Sequence, residues 1–394
     1  MSRVVVVGSD NDPSFAVIDF SAPNSPVVMR VPPDPQFPFG ACRVSIKGSQ
    51  VAAGDSQGGA IRLIDVGDPL HPTSLGAIQT NLAGIGAIAL CGPLVAAGEL
   101  FSANLARVML LDFSSPANPV LRAIALTPFA SGGSPASGSP QVAAISSVVF
   151  LSDSLVLVAG PNQLQISRID FGDPSNPTVT NLSQTHLGGP PAIDATPAQI
   201  AAGDGSGPHV NLFDSVSFTL LRSFNSRLLP VTSVAISESF VLAGSSDDAI
   251  LSCIPLDGSP VQTVQANLGL GLVTALDGNV GACGGANSTF IQLVDLAVSP
   301  PALLGVRANV QFEAVTTLGI STFGSSPPGS GGAGSQSGSG GPGQGGSVVP
   351  PQGHPPIRPL SLRRFMESQH LDPARGLRVI RPHVTSVAEF ILFS

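Results

Sequence analysis

Four kinds of short apolar run alternate along the chain, and their lengths and punctuation predict strands rather than helices. One kind ends in small residues and glycine, at 4–8, 51–54, 95–98, 156–160, 200–203, 241–244 and 280–284. A second usually ends in Asp, at 15–19, 61–65, 108–112, 164–170, 210–214, 250–254 and 290–295. A turn rich in Pro, Asn and Asp then leads to a third run. A fourth precedes every set but the first, at 41–46, 85–90, 143–150, 192–196, 232–236, 273–276 and 313–318. Asp19, Asp65, Asp112, Asp170 and Asp214 follow one another at 46, 47, 58 and 44 residues, the period of a four-stranded propeller blade.

With the strands named A to D in chain order, seven A strands stand against seven B–C–D sets, out of phase by one. The expected fold is all-β: a seven-bladed β-propeller of four-stranded antiparallel blades. It is closed by pairing its N- and C-terminal strands, since closure removes the sheet edges that otherwise template aggregation. Residues 313–318 are placed beside Val4 to Val7, while 320–324 reads as a further B strand competing with 4–8. Both placements remain open at this stage.

The C-to-D turns carry a resemblance. Ile18-Asp19-Phe20-Ser21-Ala22-Pro23-Asn24-Ser25-Pro26, Ile64-Asp65-Val66-Gly67-Asp68-Pro69, Leu111-Asp112-Phe113-Ser114-Ser115-Pro116 and Ile169-Asp170-Phe171-Gly172-Asp173-Pro174 share one pattern. This resembles the LVIVD repeat, a propeller-type repeat of bacterial and archaeal proteins often found at the cell surface. In the last three units only fragments of the pattern survive, and the chain is more like a generic WD-type propeller. The resemblance implies architecture and no shared chemistry. In the turn itself, Asp and Asn cap backbone while each Pro withholds a donor where pairing must stop.

Composition supports many short buried strands: charged residues are 11% of the chain, hydrophobic residues 43%, and mean hydropathy is positive. Trp and Tyr are absent, so Phe supplies the large aromatic surface. Residues 1–324 carry 11 basic and 22 acidic side chains, a balance of −11 that repels phosphate backbones and argues against nucleic acid as a partner. Residues 348–394 carry six Arg and three acids. Cys42, Cys91, Cys253 and Cys283 are scattered and read as small buried hydrophobes. The apolar run at 4–7 is too short for a signal-peptide core, and no stretch has the length of a transmembrane helix. A soluble, cytoplasmic monomer is the default expectation.

Three regions are expected: a propeller over 1–324, a Gly/Ser/Pro-rich linker over 325–360 and a short basic tail over 361–394. Residues 325–347 include ten Gly and no charge, a composition that favours flexible coil. In the tail, Ser361 caps a short helical pattern that Asp372-Pro373 breaks, and 387–393 is a second apolar element. Arg363, Arg364 and Phe365 are the candidate docking residues of the tail, with the acidic propeller as one candidate surface.

No nucleotide-binding, nucleophile-elbow or paired-His motif is present. A propeller gathers residues from separate blades, however, and Asp10, Asp55, Glu99 and Asp204 each follow the glycine ending a B strand. Asn81, Asn267 and Asn309 each precede an A strand, and His209, with His186, falls near Asp204. These residues are expected to converge on one channel mouth, with Glu99 and Asp204 as candidate metal ligands, since hard divalent cations such as calcium favour oxygen donors. The bland reading makes them turn residues. The long D–A connection at 127–140 is a candidate recognition loop. The functional expectation is a non-enzymatic scaffold that binds a protein partner. The alternatives are a metal-dependent, lactonase-like propeller hydrolase and an exported or cell-surface module.

Overall fold

The B strands that end at Gly98 and Gly284 run up against the chain that leads into the next blade, and this contact sets their glycines. A Cβ at Gly98 would stand 2.5 Å from Ile145 Cγ2, and one at Gly284 would stand 2.9 Å from Val315 Cγ1. Only a bare backbone lets the neighbouring blade close in at these points. The computed structural model describes residues 2–323, apart from 34–41, 101, 103–104, 131–143, 161–165, 183–191, 267 and 313.

Within the described residues there are 28 strands and no helix, arranged as seven four-stranded antiparallel sheets. Blade 1 comprises Thr317–Phe323, Ser2–Ser9, Asp12–Asp19 and Val27–Val31 in spatial order A to D. Blades 2 to 7 occupy 42–79, 85–130, 147–182, 193–225, 233–265 and 272–309. Each A strand touches the A strands on either side, and that of blade 7 touches that of blade 1, so the ring closes. Apolar side chains fill the spaces between adjacent blades. Val5, Ile18, Ile291 and Phe312, for example, pack together between blades 7 and 1.

Closure through the two ends is as the sequence indicates, but the strand is later than expected. Thr317–Phe323 pairs with Ser2–Ser9 in the register Val4↔Ser321, Val5↔Ile320, Val6↔Gly319 and Val7↔Leu318. The segment at 320–324 therefore supplies most of this A strand and is no rival for the B position. Val310, Phe312 and Val315 are buried in the connection and make it look like a strand in sequence. Gln311, at φ 60°, breaks the extended backbone among them. The D strand of blade 3, Val120–Ala130, likewise runs into residues expected to form a loop.

The Asp that ends the C strand caps the C-to-D turn in six blades, and in blade 6, where Pro255 holds that place, Asp257 two residues on makes the cap. Asp19, Asp65, Asp112, Asp170, Asp257 and Asp295 each accept the amide two residues on at 2.7–2.9 Å, and Asp214 accepts that of Ser217 at 2.7 Å. The cap holds after the recognisable motif has decayed, because one short carboxylate suffices to close the turn. The following residue, such as Phe113, is buried and donates its amide to the A–B turn, here to Pro93 O at 2.8 Å.

Candidate functional site

Those of the expected polar residues that are described have partners in their own turns or in the neighbouring blade. Asp55 is buried and accepts the Gln57 amide at 2.9 Å. Asp204 is buried too, accepting the Ser206 amide at 3.1 Å, with His209 Nδ1 at 3.9 Å. The exposed Asn309 accepts the Gln311 amide at 2.9 Å. Asp10 pairs with Arg43 at 3.0 Å. Asn267 and His186 lie outside the described residues, as do Arg363, Arg364 and Phe365.

Glu99 has the most developed set of partners. It is 1% exposed, and Arg107 approaches it from two sides, with Nε 2.9 Å from Oε2 and Nη2 bonded to Oε1. The Ala83 and Arg107 amides donate to the same carboxylate at 3.3 and 3.2 Å. Arg107 Nη2 also donates to the Asn81 carbonyl at 2.8 Å, so Asn81 and Glu99 meet through this guanidinium. The side-chain hydrogen bond to Glu99 holds Arg107 yet more firmly charged than usual. Such a fork matches a carboxylate in both shape and charge, and it brings the connection ahead of blade 3 onto the B–C turn.

For a cation, the donor set is thin. Both Glu99 oxygens already face a guanidinium, and among the described residues no three His, Cys, Asp or Glu side chains stand together as ligands. Cys42, Cys91, Cys253 and Cys283 are all free thiols. Burial pushes Cys253 and Cys283 up to about 12 and Cys42 upward as well, far from the thiolate that binds metal or attacks carbon.

Inside the ring, the seven A strands line a cavity of about 440 Å³, with apolar side chains such as Ile46, Leu90, Phe150 and Leu318 among polar wall surface. Its charged lining residues are Lys47 and Asp194. Burial raises Asp194 to about 6, against the opposing effect of hydrogen bonds from the Ile236 and Ala195 amides at 2.8 and 2.9 Å. Hydroxyls bridge other A strands in the same way: Ser147 Oγ donates to Ile193 O at 3.0 Å, Ser233 Oγ accepts the Thr274 amide at 2.9 Å, and Thr317 Oγ1 accepts the Val44 amide at 3.2 Å. The polar groups on A strands thus close inner edges that have no fifth strand. Sequence reasoning missed Lys47 and Asp194. The signal for the first was its being the chain's only lysine.

On the outside, blade 3 differs from its neighbours. Its D strand is the longest in the ring, at 11 residues against four in blade 6. Val120, Leu121, Ile124 and Leu126 are 55%, 46%, 38% and 57% exposed, while Ala123 and Ala125 between them are buried. Leu105, 38% exposed on the adjoining C strand, extends the apolar surface. The charged side chain here is Arg122, paired with Asp112 Oδ2 at 3.4 Å.

With seven sheets ringed about a channel, the architecture is decided. The fold is a seven-bladed β-propeller. AztD from Citrobacter koseri superposes with a TM-score of 0.57 at 12% identity, covering 81% of this chain and 98% of that one. The β-propeller domain of Cps50 (Swd1) from Myceliophteria thermophila gives 0.53 at 14%, over 70% of this chain and 88% of that one. A chain of the Mitotic Checkpoint Complex gives 0.52 at 16%, over 71% and 83%. At these identities the likeness is one of fold alone. No protein-family model matches the propeller, and no curated protein matches it in sequence. No helix among the described residues is long and apolar enough to cross a membrane.

Proposed function

We propose that this propeller is a protein-binding scaffold and that its binding surface is the outer edge of blade 3. The observation carrying this reading is the run of exposed Val120, Leu121, Ile124 and Leu126 on one long edge strand. An outermost strand presents backbone donors and acceptors in a row, and natural proteins blunt such rows with charge, proline or shortness. Here residues 120–127 carry one charge, and the strand's proline, Pro128, comes only after them. An extended segment of a partner added to this edge gains backbone pairing and covers the apolar side chains together. The fold likeness to a chain of the Mitotic Checkpoint Complex is in keeping with this use of a propeller, without naming a partner.

The experiment is affinity purification of the full chain from its source cells, beside an Ile124→Asp/Leu126→Asp variant. A Val298→Asp/Val306→Asp variant on blade 7 controls for exposed apolar residues elsewhere. The reading expects a defined protein to co-purify with wild type and control and to be lost with the blade 3 variant at unchanged Tm. Equal recovery with all three overturns it.

A further inference from the structure

The geometry points to the channel as a binding site for a small zwitterion of the amino-acid class, its ammonium on Asp194 and its carboxylate on Lys47. This site is separate from the blade 3 edge and does not rest on it. Asp194 is the central residue of Ile193–Ala195 in blade 5, and Lys47 ends Cys42–Lys47 in blade 2. Both line the cavity of about 440 Å³, from A strands on different sides of the ring. That volume lies within the range of small-molecule sites.

The two charges do not satisfy each other. Among the described residues, no ion pair within 4.0 Å includes either of them. Lys47 nevertheless acts on Asp194 across the cavity, favouring its ionised form. Lys47 is exposed, and no hydrogen bond among the described residues takes up its ammonium. Asp194 accepts the Ala195 and Ile236 amides, one on each oxygen, at 2.9 and 2.8 Å. An ionised carboxylate has about four lone-pair sites, so about two remain for a ligand.

Tying strands together does not account for a charge at this place. Elsewhere in the ring Ser147, Ser233 and Thr317 make the same kind of tie with a neutral hydroxyl. Burial opposes the charge on Asp194, so a carboxylate here costs stability that a hydroxyl does not. A bound ammonium offsets that cost by giving the carboxylate a counterion inside the channel. Lys47, the chain's only lysine, stands at the end of the ring where blades 4, 6 and 7 carry Asp153, Glu238 and Asp277. A ligand with one charge fits less well. A bare carboxylate enters against the balance of −11 over residues 1–324, and a bare amine meets Lys47. Ile46, Phe150 and Leu318 offer apolar contact to the body of the ligand.

Calorimetric titration of the full chain at neutral pH tests this, with the protein amino acids, γ-aminobutyrate and ε-aminocaproate as probes. For the tightest probe, the amine and the acid that each lack one charged end are titrated beside it. The expected result is one-to-one binding of the zwitterion, weakened at least about ten-fold in Lys47→Met and in Asp194→Asn. The amine should bind wild type more weakly than the zwitterion does, and should gain affinity in Lys47→Met rather than lose it. Lys47→Met should keep the wild-type Tm, so that its loss of binding is not unfolding. Absence of binding by every probe overturns the proposal. A zwitterion bound equally by wild type and either variant overturns it too, as does an amine or acid that binds as tightly as the zwitterion.

Discussion

Asp194 of blade 5 accepts the Ile236 amide of blade 6 at 2.8 Å, so a carboxylate inside the channel ties two A strands whose inner edges have no sheet partner. The arrangement has a cost, because burial opposes the charged form and raises the group to about 6.

A pH signature follows from that shift. A carboxyl whose folded value lies above its unfolded 3.8 contributes stability that is present below about pH 4 and is lost as pH rises through about 6. The difference in stability between wild type and Asp194→Asn should therefore move against wild type between pH 4 and pH 7, by at most about 3 kcal/mol, and Tm should follow it. Thermal melts across that range check it. A difference independent of pH would mean that the carboxyl ionises as freely in the channel as in water.

The turn aspartates act in the opposite sense. The Ser114 amide and hydroxyl hold Asp112 below its usual range, and Ser217 does the same for Asp214. Their stabilisation is present above about pH 4 and is lost as pH falls through their lowered values. Asp112→Ala should cost about 1 kcal/mol at pH 7 and little at pH 2. Chemical denaturation at the two pH values measures this.

Closure of the ring makes a sharper demand. Removing residues 317–394 takes away the A strand of blade 1 and exposes the edge of Ser2–Ser9. Truncation after residue 324 keeps that strand. The longer truncation should abolish cooperative melting, and the shorter should leave Tm within a few degrees of the full chain. A cooperative transition after loss of 317–323 would show that the ring does not depend on joining its ends.

Much of this was legible in the sequence, for identifiable reasons. The Asp caps and the terminal glycines of the B strands meet local or repeated constraints, so they recur at the blade period. The last A strand was misplaced because Val310, Phe312 and Val315 are buried as deeply as strand residues while lying in a connection. At the loop face, Asp55, Asp204 and Asn309 were visible as turn residues, and turn amides are among their partners. The role of Glu99 was not visible, because nothing in sequence marks Arg107, eight residues on, as its counterion. Asp194 was hidden for a similar reason: its partner amide lies 42 residues away in the next blade.

The Glu99–Arg107 pair also separates a structural from a metal-binding role for the Glu99 carboxylate. Arg107→Met strands a carboxylate that is 1% exposed, at a cost of about 3 kcal/mol, and Glu99→Gln in the same chain should restore part of the loss. Calorimetric titration with Ca²⁺ or Mn²⁺ should show no one-to-one binding by wild type. Binding that disappears in Glu99→Ala/Asp204→Ala would favour the metal-dependent hydrolase instead.

The most direct test of the central claim is site-specific photo-crosslinking in source cells, with the photoreactive residue at Leu126 and, separately, at Val306 on blade 7. Both positions are about half exposed on outer strands, so they differ in surface rather than in access. The account predicts a discrete protein adduct from position 126, suppressed by Ile124→Asp, and none from position 306. The same adducts from both positions, or none from 126, would contradict it.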